Sequence, residues 1–305
     1  VLAKKYAPQS QTGLVNGVLR SAVRTKGKLL EPTSYEDKYS HPEALVALLK
    51  ANVPKGMLES VLQADNAAPE TVIQVNPLKT ARDDLQKALE KEGVEAKPHS
   101  WMPDCLVLNG TGSIDQLNAF KEGLFYVQDP ASKLSVLCAR LPEGGLRLLD
   151  CCAAPGGKSF AAAIAMGDRG TVLSRDVHAH KIALIEGGAK RLGIASLQAA
   201  LQDAAQFRPE WEGSMDVVLA DVPCSGLGII RKKPDIRYRD LETAKELPAL
   251  QRAILWNQAR YVRPGGVLMY STCTLLKREN EEVVSAFLES HPDFHTEKLS
   301  LPGNF

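Results

Sequence analysis

Two features are missing from the 305-residue sequence. No apolar run is long enough to cross a membrane, and the N-terminal residues lack the charged, apolar and small-residue series of a signal peptide. Both absences predict a cytoplasmic protein without a membrane partner. Internal repeats and low-complexity tracts are absent as well, and a composition of 44% hydrophobic and 24% charged residues is typical of a globular protein. The length allows one α/β domain of ordinary size and one or two smaller units.

An excess of charge of one sign is also lacking. The 37 basic and 36 acidic side chains give a formal net charge of +1, which excludes a general attraction to phosphate. A nucleic-acid-binding protein of this composition must therefore gather its positive charge on one face. The six cysteines include no C-x-x-C pair, so we expect no zinc or other metal site. In a reducing compartment they are better explained as buried hydrophobic residues or reactive thiols.

Changes in hydrophobic period divide the chain into three predicted domains, over residues 1–30, 31–135 and 136–305. Residues 13–20 look like the end of a helical region, and a polar linker over 26–39 marks a boundary. Two helices follow, the first opened by His41 and Pro42. The periodicity then predicts a small α+β unit with strands over 71–75, 105–108 and 125–127 and helices over 81–92 and 114–120. The chain begins at Val1 without a methionine and ends without a terminating element, so we expect a fragment.

The third region alternates short apolar strands with helical patterns. The strands are predicted over 146–151, 171–175, 197–201, 217–220 and 267–270. Near-continuous apolar strands joined by helices indicate a doubly wound, mostly parallel α/β sheet covered on both faces. In such a sheet a ligand lies across the carboxyl ends of the strands.

A glycine turn follows the first of these strands. Gly156 and Gly157 allow the backbone to approach a ligand, and the next helix offers free N–H groups, although a tight turn without a ligand is the plain alternative. The G-x-G-x-x-G fingerprint and the Walker A sequence are absent. Asp176 ends the second strand about 20 residues after the turn, where such folds bind ribose hydroxyls. Asp203 follows the third strand and is either an acceptor for an adenine amino group or a helix cap.

Two cysteines follow the next two strands. The fourth strand leads into Asp221-Val-Pro-Cys224-Ser-Gly226 and the fifth into Tyr270-Ser-Thr-Cys273-Thr274. A single free cysteine is most often a small buried hydrophobic residue. Two cysteines at the carboxyl edge of one sheet, beside the glycine turn, favour a catalytic role instead.

Three segments carry a family resemblance: Cys152-Ala-Ala-Pro-Gly-Gly-Lys158, Asp221-Val-Pro-Cys224-Ser-Gly226 and Ser271-Thr-Cys273. They resemble, in the correct order, the signature segments of the NOL1/NOP2/Sun family of RNA 5-methylcytosine methyltransferases, and in particular its bacterial members that act on small-subunit (16S) ribosomal RNA. The resemblance implies a Rossmann-like class I methyltransferase domain over 136–305 with S-adenosylmethionine as cofactor. It further implies that 31–135 is a linker or RNA-binding domain, and that 1–30 is the end of a NusB-like RNA-binding domain. By the same resemblance, we expect most of that domain and the family's closing C-terminal strands to be missing from this fragment.

The family resemblance also assigns roles. Cytosine C5 is too electron-poor to take a methyl group directly, so a thiolate must first add to C6. By resemblance that thiol is Cys273, and Cys224 serves to release the product. Asp221 is expected to hydrogen-bond the base and to lie near the methionine part of the cofactor, while Lys158 helps to hold the base and carboxylates and lowers the nucleophile's pKa if it lies close. The expected cofactor residues are Cys152, Ala153, Ala154, Pro155, Gly156, Gly157, Lys158, Asp176, Asp203 and Asp221.

RNA contact is expected from the basic run over 231–239, which follows Cys224 and includes Tyr238 for stacking. A charge run is usually only a solvated face, but this one is predicted at the mouth of the active edge. Gln74 stands where the family often has arginine, so this sequence departs from the family at one RNA contact that the resemblance implies. We expect ribosomal RNA, free or in a pre-ribosomal particle, as the partner of a monomeric enzyme.

Two other hypotheses remain open. A DNA cytosine-5 methyltransferase would use Cys224, the cysteine of a Pro-Cys pair, as its nucleophile, and the additional Cys273 argues against it. A non-catalytic RNA-binding assembly factor could keep the same fold, but the intact glycine turn and both cysteines argue against that function.

Overall fold

The structure is a computed structural model that describes residues 5–6, 8–28, 31–102, 104–141 and 145–299. Its first part is helical. Helix α1 (Gln9–Thr25) presents apolar side chains that are exposed, at Leu14, Val18, Leu19 and Val23. The assignment of this segment to a NusB-like domain stays a prediction. Within the described residues, no helix has the length and apolar character needed to cross a membrane.

Three helices lead from α1 into the first sheet: α2 (Tyr35–Tyr39), α3 (Glu43–Asn52) and α4 (Leu58–Asn66). Ser34 caps α2 by accepting a hydrogen bond from Asp37 N. Apolar residues from all three helices join Leu227, Ile230, Ile236 and Leu276 in one buried cluster. The helical segment is thus packed onto loops of the C-terminal part of the chain.

The first sheet is antiparallel, with strand order β2-β3-β1-β4. Its strands are β1 (Thr71–Val75), β2 (Glu95–Pro98), β3 (Cys105–Asn109) and β4 (Phe125–Val127), and helices α5 (Arg82–Lys91) and α6 (Asn118–Lys121) belong to the same unit. Buried Ile73, Leu85, Leu89 and Leu106 form its core. The helix predicted over 114–120 was wrong in part, because Ile114–Gln116 is a separate 3-10 turn and Leu117 between them is extended. Strand β2 was not predicted.

The second sheet is parallel and has five strands in the order β7-β6-β5-β8-β9. These strands are β5 (Arg147–Asp150), β6 (Thr171–Asp176), β7 (Leu197–Leu201), β8 (Met215–Asp221) and β9 (Val262–Ser271). Helices connect or flank them: α7 (Pro130–Cys138), α8 (Gly157–Ala165), α9 (Ala179–Leu192), α10 (Leu247–Ala259) and α11 (Glu281–Ser290). The order reverses at β5, which therefore lies at the switch point where ligands bind in such sheets.

Successive residues of the central strand point to opposite faces of the sheet, as the strand period requires. Leu148 packs against residues of α7, α8 and α9 on one face. Leu149 packs on the other face, in a cluster that includes Ile254 of α10 and Tyr261, which follows that helix. Both leucines are almost fully buried. The predicted doubly wound sheet, covered on both faces, is confirmed.

Polar contacts join the two sheets through the C-terminal end of α9. Asn76 Nδ2 donates to Gly123 O at 2.9 Å and to Leu192 O at 2.8 Å. The Arg191 guanidinium lies 3.7 Å from the centre of the Phe120 ring and donates to Phe120 O. Since Asn76 is fully buried and Arg191 is half-buried, these contacts fix the small sheet against the parallel one.

Asp168, between α8 and β6, has a structural role. Asp168 adopts φ +56° and accepts hydrogen bonds from the backbone N–H groups of Ala195 and Ser196. Burial raises the pKa of this carboxyl, but those N–H groups outweigh that effect and lower it. Asp168 thus holds the start of β7 against the end of α8.

Candidate active site

The glycine turn after β5 is shaped by one aromatic ring. Gly156 has φ +111°, and a Cβ added there would lie 2.4 Å from Phe160 Cζ. The same ring atom lies 2.4 Å from the position that a Cβ would take at Gly188. A Cβ at Gly157 would lie 3.0 Å from Gln128 Nε2. The turn therefore depends on glycine for its conformation and for its close packing.

Asp176 is held rigidly against this turn. Its carboxylate accepts hydrogen bonds from Ala154 N at 3.2 Å and from His178 N at 3.0 Å, one on each oxygen. The side chain is buried, 7% exposed, while the next residue, Val177, is exposed. Each carboxylate oxygen accepts more than one hydrogen bond, so the fixed group keeps acceptor capacity.

Asp203 follows β7 and accepts a hydrogen bond from Ala205 N at 2.9 Å. That contact is a local turn of the capping kind, which the sequence left as the alternative to a cofactor role. Since β7, β6, β5 and β8 are neighbours in that order, Asp203, Asp176 and Asp221 follow strands on both sides of the glycine turn.

The predicted Lys158 and Asp221 are brought together. Lys158 Nζ donates to Asp221 Oδ2 at 2.8 Å, and Ser271 Oγ donates to Asp221 Oδ1 at 2.7 Å. Lys158 lies at the start of α8, Asp221 ends β8 and Ser271 ends β9. Three strand or helix ends therefore meet at one half-buried ion pair.

The two predicted cysteines also meet, in loops that follow β8 and β9. Cys224 Sγ lies 3.1 Å from Cys273 Sγ, and Cys273 N donates to Cys224 Sγ at 3.2 Å. Gly228 N donates to Cys273 O at 2.9 Å, and a Cβ at Gly228 would lie 3.0 Å from that oxygen. The loops are thus in direct contact, with both sulfur atoms at the carboxyl edge of the sheet.

The two thiols differ in acidity. The hydrogen bond from Cys224 lowers the pKa of Cys273, and the charges of Lys158 and Lys233 lower it further, against the effects of burial and of Asp221. The same hydrogen bond raises the pKa of Cys224, and burial raises it further. Cys273 is therefore the more acidic thiol of the pair.

A buried carboxylate behind the cysteine loops was missed by sequence reasoning. Glu279 is fully buried, and its Oε2 accepts hydrogen bonds from Ser225 N and from Gln251 Nε2, both at 2.9 Å. Gln251 Nε2 also donates to Pro223 O at 2.9 Å. Both residues are distant from Cys224 in sequence and belong to other elements, so no local pattern identifies them.

A second missed carboxylate lies beneath the glycine turn. Asp150 is fully buried at the end of β5, where its Oδ2 accepts a hydrogen bond from Ser159 Oγ at 2.7 Å. Ser159 Oγ in turn accepts one from Ser174 Oγ at 2.7 Å. Burial, together with the charge of Asp221, raises the pKa of Asp150 to about 7.

Some residues of the basic run over 231–239 make contacts within the chain. Lys232 pairs with Asp129, and Arg237 Nη2 donates to Asp65 O at 2.8 Å. Tyr238 is 72% exposed, so it is accessible for stacking as predicted. The charge of Lys233 lowers the pKa of Cys273, so this residue is near enough to act on the thiol.

Gln74 does not face this surface. Its side chain is fully buried, where Nε2 donates to Gln128 O at 3.0 Å and Oε1 accepts a hydrogen bond from Cys105 Sγ at 2.7 Å. A residue with no exposed surface makes no RNA contact in this conformation. Gln74 instead connects the first sheet to the segment that precedes α7.

A parallel sheet reversed at β5, with a glycine turn and carboxylates at neighbouring strand ends, defines the class I methyltransferase fold. The sequence model described as 16S rRNA methyltransferase RsmB/F matches residues 139–304, and the model described as the RsmF/B-like ferredoxin-like domain matches residues 41–115. The chain belongs to this RsmB/F family of 16S rRNA methyltransferases. The resemblance found in the sequence is confirmed.

Individual relatives agree with this assignment. The chain is 36% identical to the probable ribosomal RNA small subunit methyltransferase B of Bacillus subtilis (strain 168), over 98% of this chain and 68% of that protein. The solved structure of PH0851 matches with a TM-score of 0.81 at 32% identity, over 87% of this chain and 61% of that chain. A methyltransferase homolog protein from Pyrococcus horikoshii matches with a TM-score of 0.73 at 26% identity, over 85% of this chain and 83% of that chain. The chain thus spans about two thirds of the length of its curated relative.

Proposed function

We propose that this protein transfers a methyl group from S-adenosylmethionine to C5 of a cytosine in small-subunit (16S) ribosomal RNA, through a covalent adduct between Cys273 and C6. The observation that carries the proposal is the contact between Cys224 and Cys273, whose sulfur atoms lie 3.1 Å apart. In this contact the pKa of Cys273 is lowered and that of Cys224 is raised. Two thiols of different acidity at one site suit a reaction that needs a nucleophile in its first step, here Cys273, and a proton acceptor in its last step, here Cys224.

The residues around the glycine turn fit S-adenosylmethionine by their chemistry. Asp176 supplies acceptors for the ribose hydroxyls, and Asp203 an acceptor for the adenine amino group. The backbone of residues 152–158 forms the turn that would hold the cofactor, and Asp221 would lie near its methionine part. When bound there, the cofactor supplies the electrophilic methyl group.

The first step belongs to Cys273. Its thiolate adds to C6 of cytosine, an Sγ–C6 bond forms, and the C5=C6 electron pair makes C5 nucleophilic while N3 takes up a proton. The Lys158–Asp221 pair, joined at 2.8 Å, is the group that hydrogen-bonds the base and supports this protonation. Cys224 stabilises the thiolate until it attacks.

The last step belongs to Cys224. Once Cys273 is bonded to C6, it no longer accepts the Cys224 hydrogen bond, and Cys224 loses its proton to solvent. Loss of that hydrogen bond removes the main cause of the raised pKa of Cys224, so its thiolate becomes available as the base. It takes the C5 proton, the C5=C6 bond re-forms, and the C6–Sγ electron pair returns to Cys273.

The alternatives make opposite demands on the same residues. A DNA-type enzyme needs Cys224 as the thiolate, whereas the hydrogen bond raises its pKa. A non-catalytic assembly factor needs neither an acidic thiol nor the Lys158–Asp221 pair. We further propose that the protein acts in the cytoplasm as a monomer, on RNA that is free or within a pre-ribosomal particle.

Covalent trapping tests the proposal. The protein is incubated with S-adenosylmethionine and 5-fluorocytosine RNA, or with DNA of the same sequence, and the cross-linked peptide is mapped by mass spectrometry. Fluorine at C5 blocks proton removal, so the adduct persists. We expect an adduct with RNA on Cys273. An adduct on Cys224, or one formed only with DNA, would support the DNA-type alternative, and no adduct with either would support the assembly factor.

A further inference from the structure

We propose that Glu279 is the positioning residue for Cys224: with Gln251, its buried carboxylate holds the Pro223–Ser225 segment so that Cys224 Sγ lies against Cys273 Sγ. This inference rests on the proposed function, because it assumes that both thiols serve one reaction. Glu279 is not expected to touch the substrate. It acts through the backbone on either side of Cys224.

Hydrogen bonds hold the residues before and after Cys224. Ser225 N, which follows Cys224, donates to Glu279 Oε2 at 2.9 Å. Pro223 O, which precedes it, accepts from Gln251 Nε2 at 2.9 Å, and the same amide nitrogen donates to Glu279 Oε2 at 2.9 Å. Removing the carboxylate therefore releases Ser225 N directly, and it takes from Gln251, which holds Pro223 O, the hydrogen bond that fixes its amide group.

Glu279 is also tied to the Cys273 loop. Its carbonyl oxygen accepts a hydrogen bond from Tyr270 Oη at 2.6 Å, close to the end of β9. The next residue, Asn280, accepts from Thr272 Oγ1 at 2.6 Å and donates to Thr274 O at 3.1 Å. The short 3-10 helix that ends at Glu279 thus fixes both cysteine loops relative to each other.

A purely structural explanation fits this carboxylate poorly. Glu279 is 0% exposed, has no salt-bridge partner in the part of the chain that the structure describes, and its Oε1 has no hydrogen-bond partner there. Burying a carboxylate in this way disfavours folding compared with an apolar side chain. What the carboxylate provides in return is geometry: its Oε2 accepts hydrogen bonds from both Ser225 N and Gln251 Nε2, and only an acceptor at that position connects these two donors.

The test measures Cys273 in the RNA-free protein. The rate of iodoacetamide labelling at Cys273 is followed against pH by peptide mass spectrometry, in wild type, Glu279→Ala, Glu279→Gln and Cys224→Ala. In Cys224→Ala the stabilising S–H donor is gone, so the profile shifts to higher pH. We expect Glu279→Ala to show most of that shift and Glu279→Gln, which keeps an acceptor oxygen, to show little of it.

Asn76→Ala is the matched control for lost stability. Asn76 makes two buried hydrogen bonds at the junction of the two sheets, to Gly123 and Leu192. The variant therefore loses stability while the contacts of the cysteine loops stay unchanged. Its labelling profile should match wild type. If Glu279→Ala does not fold, Glu279→Asp, shorter by one methylene, takes its place with the same expected direction. An unshifted profile in the folded Glu279 variant, or an equal shift in Asn76→Ala, would overturn the proposal.

Incubation with RNA and S-adenosylmethionine separates this proposal from the proposed function. A misplaced Cys224 should leave product release slow, so Glu279→Ala should accumulate a covalent RNA complex that Glu279→Gln does not. A shifted labelling profile without such a complex would support the positioning role of Glu279 and contradict the release role of Cys224. A complex formed without any shift would contradict the positioning role alone.

Discussion

The burial of the Asp150 carboxyl beneath the glycine turn predicts how a substitution there changes stability. Replacing Asp150 by Asn keeps an oxygen acceptor for Ser159 Oγ, which lies 2.7 Å from Oδ2, and removes a negative charge from a fully buried site. The other oxygen, Oδ1, has no hydrogen-bond partner among the described residues, so an amide nitrogen in its place breaks no existing bond. We expect the variant to be more stable than wild type at neutral and alkaline pH.

The size of the effect follows from the pKa of Asp150, which is raised from 3.8 to about 7 by burial and by the charge of Asp221. Each pKa unit corresponds to about 1.4 kcal/mol, so ionising Asp150 costs the folded state roughly 4 kcal/mol as an upper estimate. Between about pH 4 and pH 7 the folded protein keeps a proton that the unfolded chain has released. The contribution of Asp150 to the free energy of unfolding therefore falls as pH rises through this window, and the full cost is present above pH 7.

Urea unfolding without cofactor or RNA, measured from pH 5 to pH 8, tests this prediction. The advantage of Asp150→Asn over wild type should grow with pH and level off above pH 7. Asp168→Asn is the control with the opposite effect, because backbone N–H groups lower the pKa of Asp168. This variant should be less stable than wild type, by the same amount from pH 5 to pH 8. An equal difference between Asp150→Asn and wild type at pH 5 and pH 8 would refute the reasoning.

Two further predictions concern ligands. Asp176→Ala should weaken S-adenosylmethionine binding by about tenfold to a hundredfold in calorimetry, since a hydrogen bond to a charged group is worth about 1.5–3 kcal/mol; an unchanged Kd would remove Asp176 from the site. Neutralising Arg231 and Lys233 should weaken RNA binding and reduce its salt slope by somewhat under one unit per lost phosphate contact. Lys232→Gln should change the slope less, because Lys232 is paired with Asp129, and an equal effect of all three substitutions would contradict this division of the basic run.

The parallel sheet and its ligand edge were predictable because the signals are local. Near-continuous apolar strands bounded by glycine or polar residues identify β5 to β9, and their carboxyl ends must share one edge. That rule predicted that Cys224 and Cys273 would lie at one edge beside the glycine turn, whereas the family resemblance implied that Lys158 helps to hold the carboxylates. The structure brings both pairs into contact, at 2.8 Å and 3.1 Å.

Other elements gave no local signal. Strand β2 (Glu95–Pro98) has one buried residue of four, so its hydrophobic alternation is invisible in the sequence. Glu279 and Gln251 read as ordinary surface residues of amphipathic segments, because their burial is decided by loops far away in sequence. The difference in acidity between the two thiols likewise depends mainly on the contact between two loops.

The most direct test of the central claim compares the two cysteines. Cys273→Ser should abolish methylation and form no adduct with RNA, because a serine hydroxyl is a far poorer nucleophile than a thiolate. Cys224→Ser should still add to cytosine and transfer the methyl group, and should accumulate as an RNA complex that survives denaturing electrophoresis. If Cys273→Ser accumulates the complex and Cys224→Ser does not, the two roles are reversed. If neither variant traps RNA and each is only mildly destabilised, the two thiols are not catalytic.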